Sequence, residues 1–137
     1  MRILLDSNVV IDFFEGREPF FDESARVIER VEQGVVTGLL CATTLTTIAY
    51  LAGKALGKRQ AVEQVRKLLT LFEVAPVNRS ILDAALAGNM ADFEDAVLAE
   101  AAHQAGAQAI ITRNLKDFAH SPVRAYTPRQ WLAMGSV

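Results

Sequence analysis

Three groups of acidic and polar residues, far apart along the chain, have the kinds of side chain that hold a divalent metal ion. Asp6-Ser7-Asn8 directly follows a short apolar run, and Asp92-Phe93-Glu94-Asp95 precedes an alanine-rich segment. The third group runs from Thr112 to Phe118 and directly follows the apolar segment Ala109 to Ile111. All three groups offer carboxylate, amide or hydroxyl oxygens.

Carboxylates that are brought close together repel one another unless a cation holds them. Hard oxygen ligands suit Mg²⁺ or Mn²⁺. Such an ion lowers the pKa of a bound water and neutralises the charge that develops on a phosphate. The sequence has no Gly-rich phosphate loop, and its one cysteine lies in an apolar run. These residues therefore predict metal-assisted phosphodiester hydrolysis.

Each group also has a purely structural interpretation. Asp6 could bond the backbone of a turn at the end of a strand, and Asp117 could end a short turn. Asp92 and Asp95 have the spacing of a helix cap and a first-turn acid that favours the helix dipole. The functional interpretation depends on joint placement, because ligands of open parallel sheets bind beyond the carboxyl ends of the strands.

The pattern of apolar residues predicts the elements that would position these groups. The predicted strands are Arg2–Leu5, Val35–Cys41, Phe72–Val77, Gln108–Thr112 and Val123–Tyr126. The predicted helices are Pro19–Gln33, Thr43–Leu56, Gln60–Phe72, Asn78 or Ser80 to Ala87, Asp92–Gln104 and one from Pro128. The segment Thr43–Leu56 is ambiguous, because its four threonines disfavour a helix although its apolar spacing fits one. Strands separated by single helices or helix pairs predict an α/β fold with a mostly parallel sheet and helices on both faces.

Length and composition limit the class of protein. The 137 residues predict a single domain over positions 1–137. One cysteine, Cys41, cannot form an internal disulfide, which predicts an intracellular, cytoplasmic protein. We expect no membrane association, because no apolar run approaches the roughly 18–20 residues that cross a bilayer. With a net charge of −2, the chain has no overall positive charge that would attract nucleic acid.

The basic residues would have to provide any local surface for a polyanion. They form a middle group and a later group, and we interpret both as ordinary solvated surface. The residues are Lys54, Lys58, Arg59, Arg66 and Lys67, then Arg113, Lys116, Arg124 and Arg129.

The three acidic motifs together resemble those of the PIN-domain family. Ile3 to Val10 is similar to the opening strand and first aspartate of that family. Asp92 to Val97 and Ile111 to Phe118 are similar to its later acidic motifs, in the same order and spacing. The likeness extends from Arg2 to about Trp131 and is strongest to the VapC-type toxin ribonucleases. It implies a three-layer α/β/α sandwich, Mg²⁺ or Mn²⁺ as cofactor, single-stranded RNA as substrate, a homodimer and inhibition by a small antitoxin protein.

The resemblance also implies roles for individual residues. Asp6, Asp95 and Asp117 match the catalytic carboxylates that bind metal. Asp92 is a further acid at the same helix and an alternative ligand.

Asn8, Thr112 and Asn114 match polar residues that support the site. One position departs from the family pattern. The family usually has a glutamate near the start of the helix after the second strand, where this sequence has Thr47. No acidic residue occurs between Gln33 and Gln60. Loss of that carboxylate predicts weaker metal binding.

Three functions remain open on this basis. The first is a metal-dependent ribonuclease, most plausibly a toxin of a toxin–antitoxin pair. The second is a catalytically weakened PIN domain that binds RNA or a protein partner without efficient cleavage. The third is a phosphotransferase with Asp6 as nucleophile, although Asn8 cannot supply the second acid which that chemistry uses.

The dense aromatic cluster near the start is a further reason to expect a homodimer. Phe13, Phe14, Phe20 and Phe21 exceed what one small core obviously needs.

Overall fold

Five short strands form one parallel sheet in the computed structural model, which describes residues 1–135. The order across the sheet is β3-β2-β1-β4-β5, and all four pairings are parallel. The strands are β1 (Arg2–Leu5), β2 (Thr37–Cys41), β3 (Glu73–Ala75), β4 (Ala109–Ile111) and β5 (Ala125–Tyr126).

Seven α-helices and one 3-10 helix connect and cover the strands within the described residues. None of them is long and apolar enough to cross a membrane. The helices are α1 (Ser7–Glu15), α2 (Phe21–Glu32), α3 (Ala42–Leu56), α4 (Lys58–Leu71), α5 (Arg79–Ala87), α6 (Phe93–Gln104), the 3-10 helix (Leu115–Phe118) and α7 (Pro128–Ala133).

The sheet is buried on both faces, which gives the three layers that the sequence predicts. Ile3 and Leu5 of β1 pack into the core formed with α1, α2 and α7, whereas Leu4 between them packs into the core formed with α5 and α6. Successive side chains of a strand point to opposite faces. Strands covered on both sides are therefore continuous apolar runs, as β1 and β4 are. The predicted three-layer α/β/α fold is confirmed.

The strand order places a crevice at the carboxyl edge of the sheet. The chain builds β1, β2 and β3 outward in one direction, then crosses to the other side of β1 to add β4 and β5. Leu5 pairs with Ile111, so the last residues of β1 and β4 lie side by side. Ligands of such sheets bind outside the carboxyl ends, where the strand order reverses.

One helix, α1, is not predicted from the sequence. Its residues Val9, Val10 and Ile11 are β-branched, which lowers helix propensity. Two local signals were nevertheless present. Asp6 caps the first turn, since its side chain accepts from the Ser7 amide. Gly16 ends the helix in the left-handed conformation, at φ 63°.

Candidate active site

Asp6 lies directly after β1 and is almost completely buried. Its backbone N–H donates to the Ile111 carbonyl at 2.9 Å, which continues the β1–β4 ladder by one residue. Its Oδ1 accepts from the Ser7 amide at 2.8 Å, and its Oδ2 accepts from the Thr112 hydroxyl at 2.8 Å. The carboxylate is therefore fixed between the end of β1 and the end of β4.

Asn8 and Thr112 complete this network. The Asn8 amide Nδ2 donates to Asp6 Oδ2 at 3.3 Å and to Thr112 Oγ1 at 3.4 Å. Thr112 Oγ1 also accepts from the Asn114 backbone N–H at 3.1 Å. Asn114 thus contributes a backbone group here. Two of the supporting residues predicted from the sequence, Asn8 and Thr112, therefore bond the Asp6 carboxylate directly, and Asn114 bonds Thr112.

Asp92 and Asp95 lie in the first turn of α6, at the same edge of the sheet. A helix that leads into a parallel strand begins at the carboxyl edge, so the start of α6 lies near the ends of β1 and β4. Asp92 is the N-cap of α6, and its Oδ1 accepts from the Asp95 amide at 2.9 Å. Asp92 therefore has the helix-capping role that its structural interpretation predicts. Asp95 is half-buried, and its carboxyl is not used in capping.

Asp117 lies in the 3-10 helix after β4 and is exposed. Electrostatics connect it to the other two predicted carboxylates. Burial raises the pKa of Asp95 to about 7, with further contributions from the negative charges of Asp92, Asp6, Asp117 and Glu94. Burial also raises the pKa of Asp6, and the charge of Asp117 adds to this shift, while the bond from Thr112 opposes it. The fold thus brings Asp6, Asp95 and Asp117 within electrostatic range of one another.

Thr47 is half-buried on α3, which begins immediately after β2. Its hydroxyl donates to the Thr43 carbonyl one turn earlier, at 3.1 Å. Within residues 1–135 no hydrogen bond joins Thr47 to the candidate carboxylates. The helix starts at the carboxyl edge of the sheet, but in the described residues this side chain makes no hydrogen bond to the network around Asp6.

The donor set fits a hard divalent cation by its chemistry. It consists of carboxylate, hydroxyl and amide oxygens, and two of the carboxyl groups have pKa values raised in part by neighbouring negative charge. A cation would relieve that repulsion. Over positions 1–135, however, no three His, Cys, Asp or Glu side chains form a ready-made metal site. The roles of Asp6, Asp95 and Asp117 as metal ligands therefore stay predictions.

A buried ion pair next to the site was not anticipated. Asp12 of α1 has no exposed surface, and Arg113 binds it through Nε at 2.6 Å and Nη2 at 3.2 Å. The interpretation of Arg113 as ordinary solvated surface is therefore wrong. The available signal was Asp12 itself, an acid in the middle of the apolar run from Val9 to Phe14. Such an acid needs a partner when it is buried.

The fold and the polar edge together define a class of protein. A family model of the PIN domain matches residues 2–116. The chain belongs to the PIN-domain family, and the resemblance found in its sequence motifs is confirmed.

Comparison with individual proteins leads to the VapC-type members of that family. The chain is 22% identical over 135 residues to ribonuclease VapC1 of Aquifex aeolicus (strain VF5), covering 95% of this chain and 92% of that protein. A toxin–antitoxin complex from Klebsiella pneumoniae contains a chain of the same fold, with a TM-score of 0.71 and 24% identity over 92% of this chain and 97% of that one. VapC20 of Mycobacterium tuberculosis, a sarcin-ricin loop cleaving toxin, superposes with a TM-score of 0.66 and 16% identity, over 89% of this chain and 98% of that one.

Proposed function

We propose that this chain is a metal-dependent endoribonuclease that hydrolyses phosphodiester bonds of single-stranded RNA, with Mg²⁺ or Mn²⁺ as cofactor. The observation that carries the proposal is the placement of three carboxylates at the carboxyl edge of a PIN-domain sheet: Asp6 follows β1, Asp95 lies in the first turn of α6 and Asp117 lies in the 3-10 helix after β4. The ribonuclease and the RNA-cleaving toxin among its relatives support the same chemistry.

The residues divide into those that hold the ion and those that orient them. Asp6, Asp95 and Asp117 are the catalytic carboxylates that would bind the metal, and Asp92 is a further acid that the α6 cap keeps nearby. When bound, a divalent ion activates a water and neutralises charge on the phosphate. Asn8 and Thr112 hold Asp6 in one orientation, so the site does not have to order this carboxylate when it binds an ion.

We also infer that the protein is the toxin of a toxin–antitoxin pair and acts in the cytoplasm. Its structural relatives include a chain of a toxin–antitoxin complex and the toxin VapC20. A cleft of about 690 Å³ between α3 and α4 offers a partner an apolar surface that includes Tyr50 and Val62, which are 63% and 47% exposed. Positions 42–71, which include both helices, carry five basic residues and one acidic residue, a net +4 in a chain of net −2. An antitoxin segment with apolar and acidic residues fits this cleft.

The second candidate is a PIN domain that binds RNA or a protein but cuts poorly. Thr47 favours it, because a carboxylate that the family usually places on this helix is missing. The phosphotransferase has no such support. Asn8 stands where that chemistry would need a second carboxylic acid, and the chain belongs to another family.

RNA cleavage by the purified protein separates the two candidates. End-labelled single-stranded RNAs are incubated with Mn²⁺ or with a chelator, and products are resolved on a gel while binding is followed by fluorescence anisotropy. We expect defined fragments that form with Mn²⁺ and not with the chelator. Binding of RNA without cleavage at any metal concentration would select the second candidate instead.

A further inference from the structure

Asp12 is a charged group in the interior of the protein. Its side chain has 0% exposure, so an ionised carboxylate there requires strong compensation. Arg113 supplies it with two hydrogen bonds from one guanidinium, at 2.6 and 3.2 Å, although the residues are 101 positions apart. Arg17 is a weaker partner, with its Nη1 at 4.0 Å from Asp12 Oδ1. The paired geometry of Arg113 is the arrangement in which arginine binds carboxylates most strongly.

Arg113 is also held from a second direction. Its guanidinium carbon lies 4.1 Å from the centre of the Phe20 ring, just before α2. One face of the group is therefore covered by an aromatic ring, and two of its nitrogens are used by Asp12. The side chain is 26% exposed. These contacts leave the guanidinium little freedom to reach a phosphate, so substrate binding is a poor explanation for this residue.

The backbone of Arg113 joins the ion pair to the candidate active site. Its N–H donates to Asn8 Oδ1 at 3.3 Å, and Asn8 Nδ2 donates to Asp6 Oδ2 at 3.3 Å. The residue before it is Thr112, whose hydroxyl donates to the same Asp6 oxygen at 2.8 Å. We call Asp12, Arg113 and Phe20 the clamp. The clamp therefore fixes Asn8 and Thr112, the two residues whose side chains donate to Asp6.

We propose that Arg113 is a positioning residue of the active site, which acts through Asn8 and Thr112 to hold Asp6 in the orientation that binds metal. This inference rests on the proposed function. Asp12 on α1 and Phe20 beside α2 hold Arg113 independently. Together they keep the loop after β4 aligned with the end of β1. The hydrogen bonds that would remain between α1 and this loop in the described chain are those of 3.3 Å or longer between Arg113, Asn8 and Thr112 and the bond from Thr112 to Asp6.

The test removes the clamp without leaving a buried charge alone. Loss of one partner from a buried pair strongly destabilises a protein, whereas replacement of both by apolar residues is often neutral. The double variant Asp12→Leu, Arg113→Met is therefore compared with the wild type by thermal melting, Mn²⁺ titration calorimetry and steady-state RNA cleavage. We expect a folded protein with Mn²⁺ affinity and kcat each reduced about tenfold and KM nearly unchanged, as for outer-shell partners of metal ligands.

Arg129→Met is the matched control. Arg129 forms an ion pair with Glu23 at 2.6 Å, the same distance as the closest contact between Arg113 and Asp12, and it lines the same surface cleft as Arg113. It has no hydrogen bond to the network around Asp6 within the described chain. This variant should keep the wild-type Mn²⁺ affinity and kcat.

The outcomes are separable. Wild-type affinity and kcat in a folded double variant would overturn the proposal, as would a rise in KM alone, which indicates substrate contact. If the double variant does not fold, Arg113→Lys decides, because it keeps the charge and loses the paired hydrogen bonds to Asp12. Reduced Mn²⁺ affinity supports the proposal, and unchanged affinity rejects it.

A wild type that binds Mn²⁺ but cuts no RNA refutes the proposed function, while the calorimetry still tests the clamp. A wild type that binds no Mn²⁺ refutes both.

Discussion

At the level of single residues, Thr47 is the position at which the chain departs from the expected pattern of the PIN-domain family. No acidic residue lies on α3, and the half-buried Thr47 bonds its own helix. Its partial exposure leaves room for a longer side chain.

Thr47→Glu should tighten Mn²⁺ binding if this position faces the site. A hard cation gains an anionic oxygen in or near its shell, and an improvement of about 1–2 kcal/mol, roughly tenfold in affinity, is typical of such a change. Titration calorimetry and a thermal melt provide the measurement. Thr46→Glu is the control, because Thr46 is the exposed neighbour on the same helix.

Two results would contradict this account of Thr47. Equal tightening by both glutamates would mean that general negative charge, and not position, attracts the ion. Unchanged affinity in a stable Thr47→Glu protein would mean that the residue does not face the site, and Asp92 would become the preferred substitute acid.

At the level of elements, the strands and helices were largely predictable from local pattern. The limits of β1 follow from an apolar run that ends at Asp6, and α6 begins after the capping residue Asp92 as predicted. The end strands are shorter than predicted, because only Glu73–Ala75 and Ala125–Tyr126 pair with a neighbour. The sequence pattern does not reveal α1, because its β-branched residues obscure the helical period and its cap, Asp6, also has the features of a metal ligand.

The candidate site was predictable to a similar extent. Asp6, Asn8 and Thr112 lie together because the ends of β1 and β4 are adjacent. The predicted parallel topology implies this adjacency. The pairing of Asp12 with Arg113 depends on packing across 101 residues, and no local pattern encodes it.

The first turn of α6 should make stability depend on pH. The pKa of Asp95 is raised to about 7, so the folded state holds this proton more tightly than the unfolded chain does. Without metal, this contribution is present below the ordinary carboxyl pKa and is lost as pH rises toward 7. Asp95→Asn should therefore raise the Tm at pH 8. The gain should be about 1 kcal/mol, or roughly 3–5 °C, after allowance for solvent screening of a half-buried group.

Thermal melts at pH 5 and pH 8 in the presence of a chelator measure this effect. Glu29→Gln, which removes an exposed acid from α2, is the control and should change the Tm little at either pH. Mn²⁺ should stabilise the wild type at pH 8 more than the Asp95→Asn variant. A lower Tm for Asp95→Asn than for the wild type at pH 8 in chelator would contradict the account.

At the level of the whole molecule, the aromatic cluster does not provide the free surface that a dimer needs. Phe13 packs edge-on against Phe14 at 5.3 Å and stacks on Phe21 at 5.9 Å, and Phe20 is covered by Arg113. The apolar side chains that remain exposed lie elsewhere, including Tyr50 and Val62 in the α3–α4 cleft and Leu86 on α5. The prediction of a homodimer, like that of a single domain over 1–137, therefore stays a prediction.

A homodimer is still expected from family membership. Sedimentation velocity of the isolated protein at micromolar concentration should give a species of twice the 15.0 kDa of one chain. Leu86→Lys would then show whether Leu86, an exposed residue of α5, lies in the contact between the two copies of the dimer. A single 15.0 kDa species throughout the micromolar range would contradict the prediction.

The most direct test of the central claim is Mn²⁺-dependent cleavage of single-stranded RNA by Asp6→Asn beside the wild type. Asparagine caps helices as well as aspartate does, so α1 should form, and its circular dichroism should be unchanged. The exposed Asp83→Asn on α5 serves as the control and should cut RNA normally. We predict that Asp6→Asn loses more than about 100-fold of the cleavage rate, because the site loses a directly bound anionic oxygen. Full Mn²⁺-dependent activity in folded Asp6→Asn would contradict the assignment of this carboxylate edge as the active site.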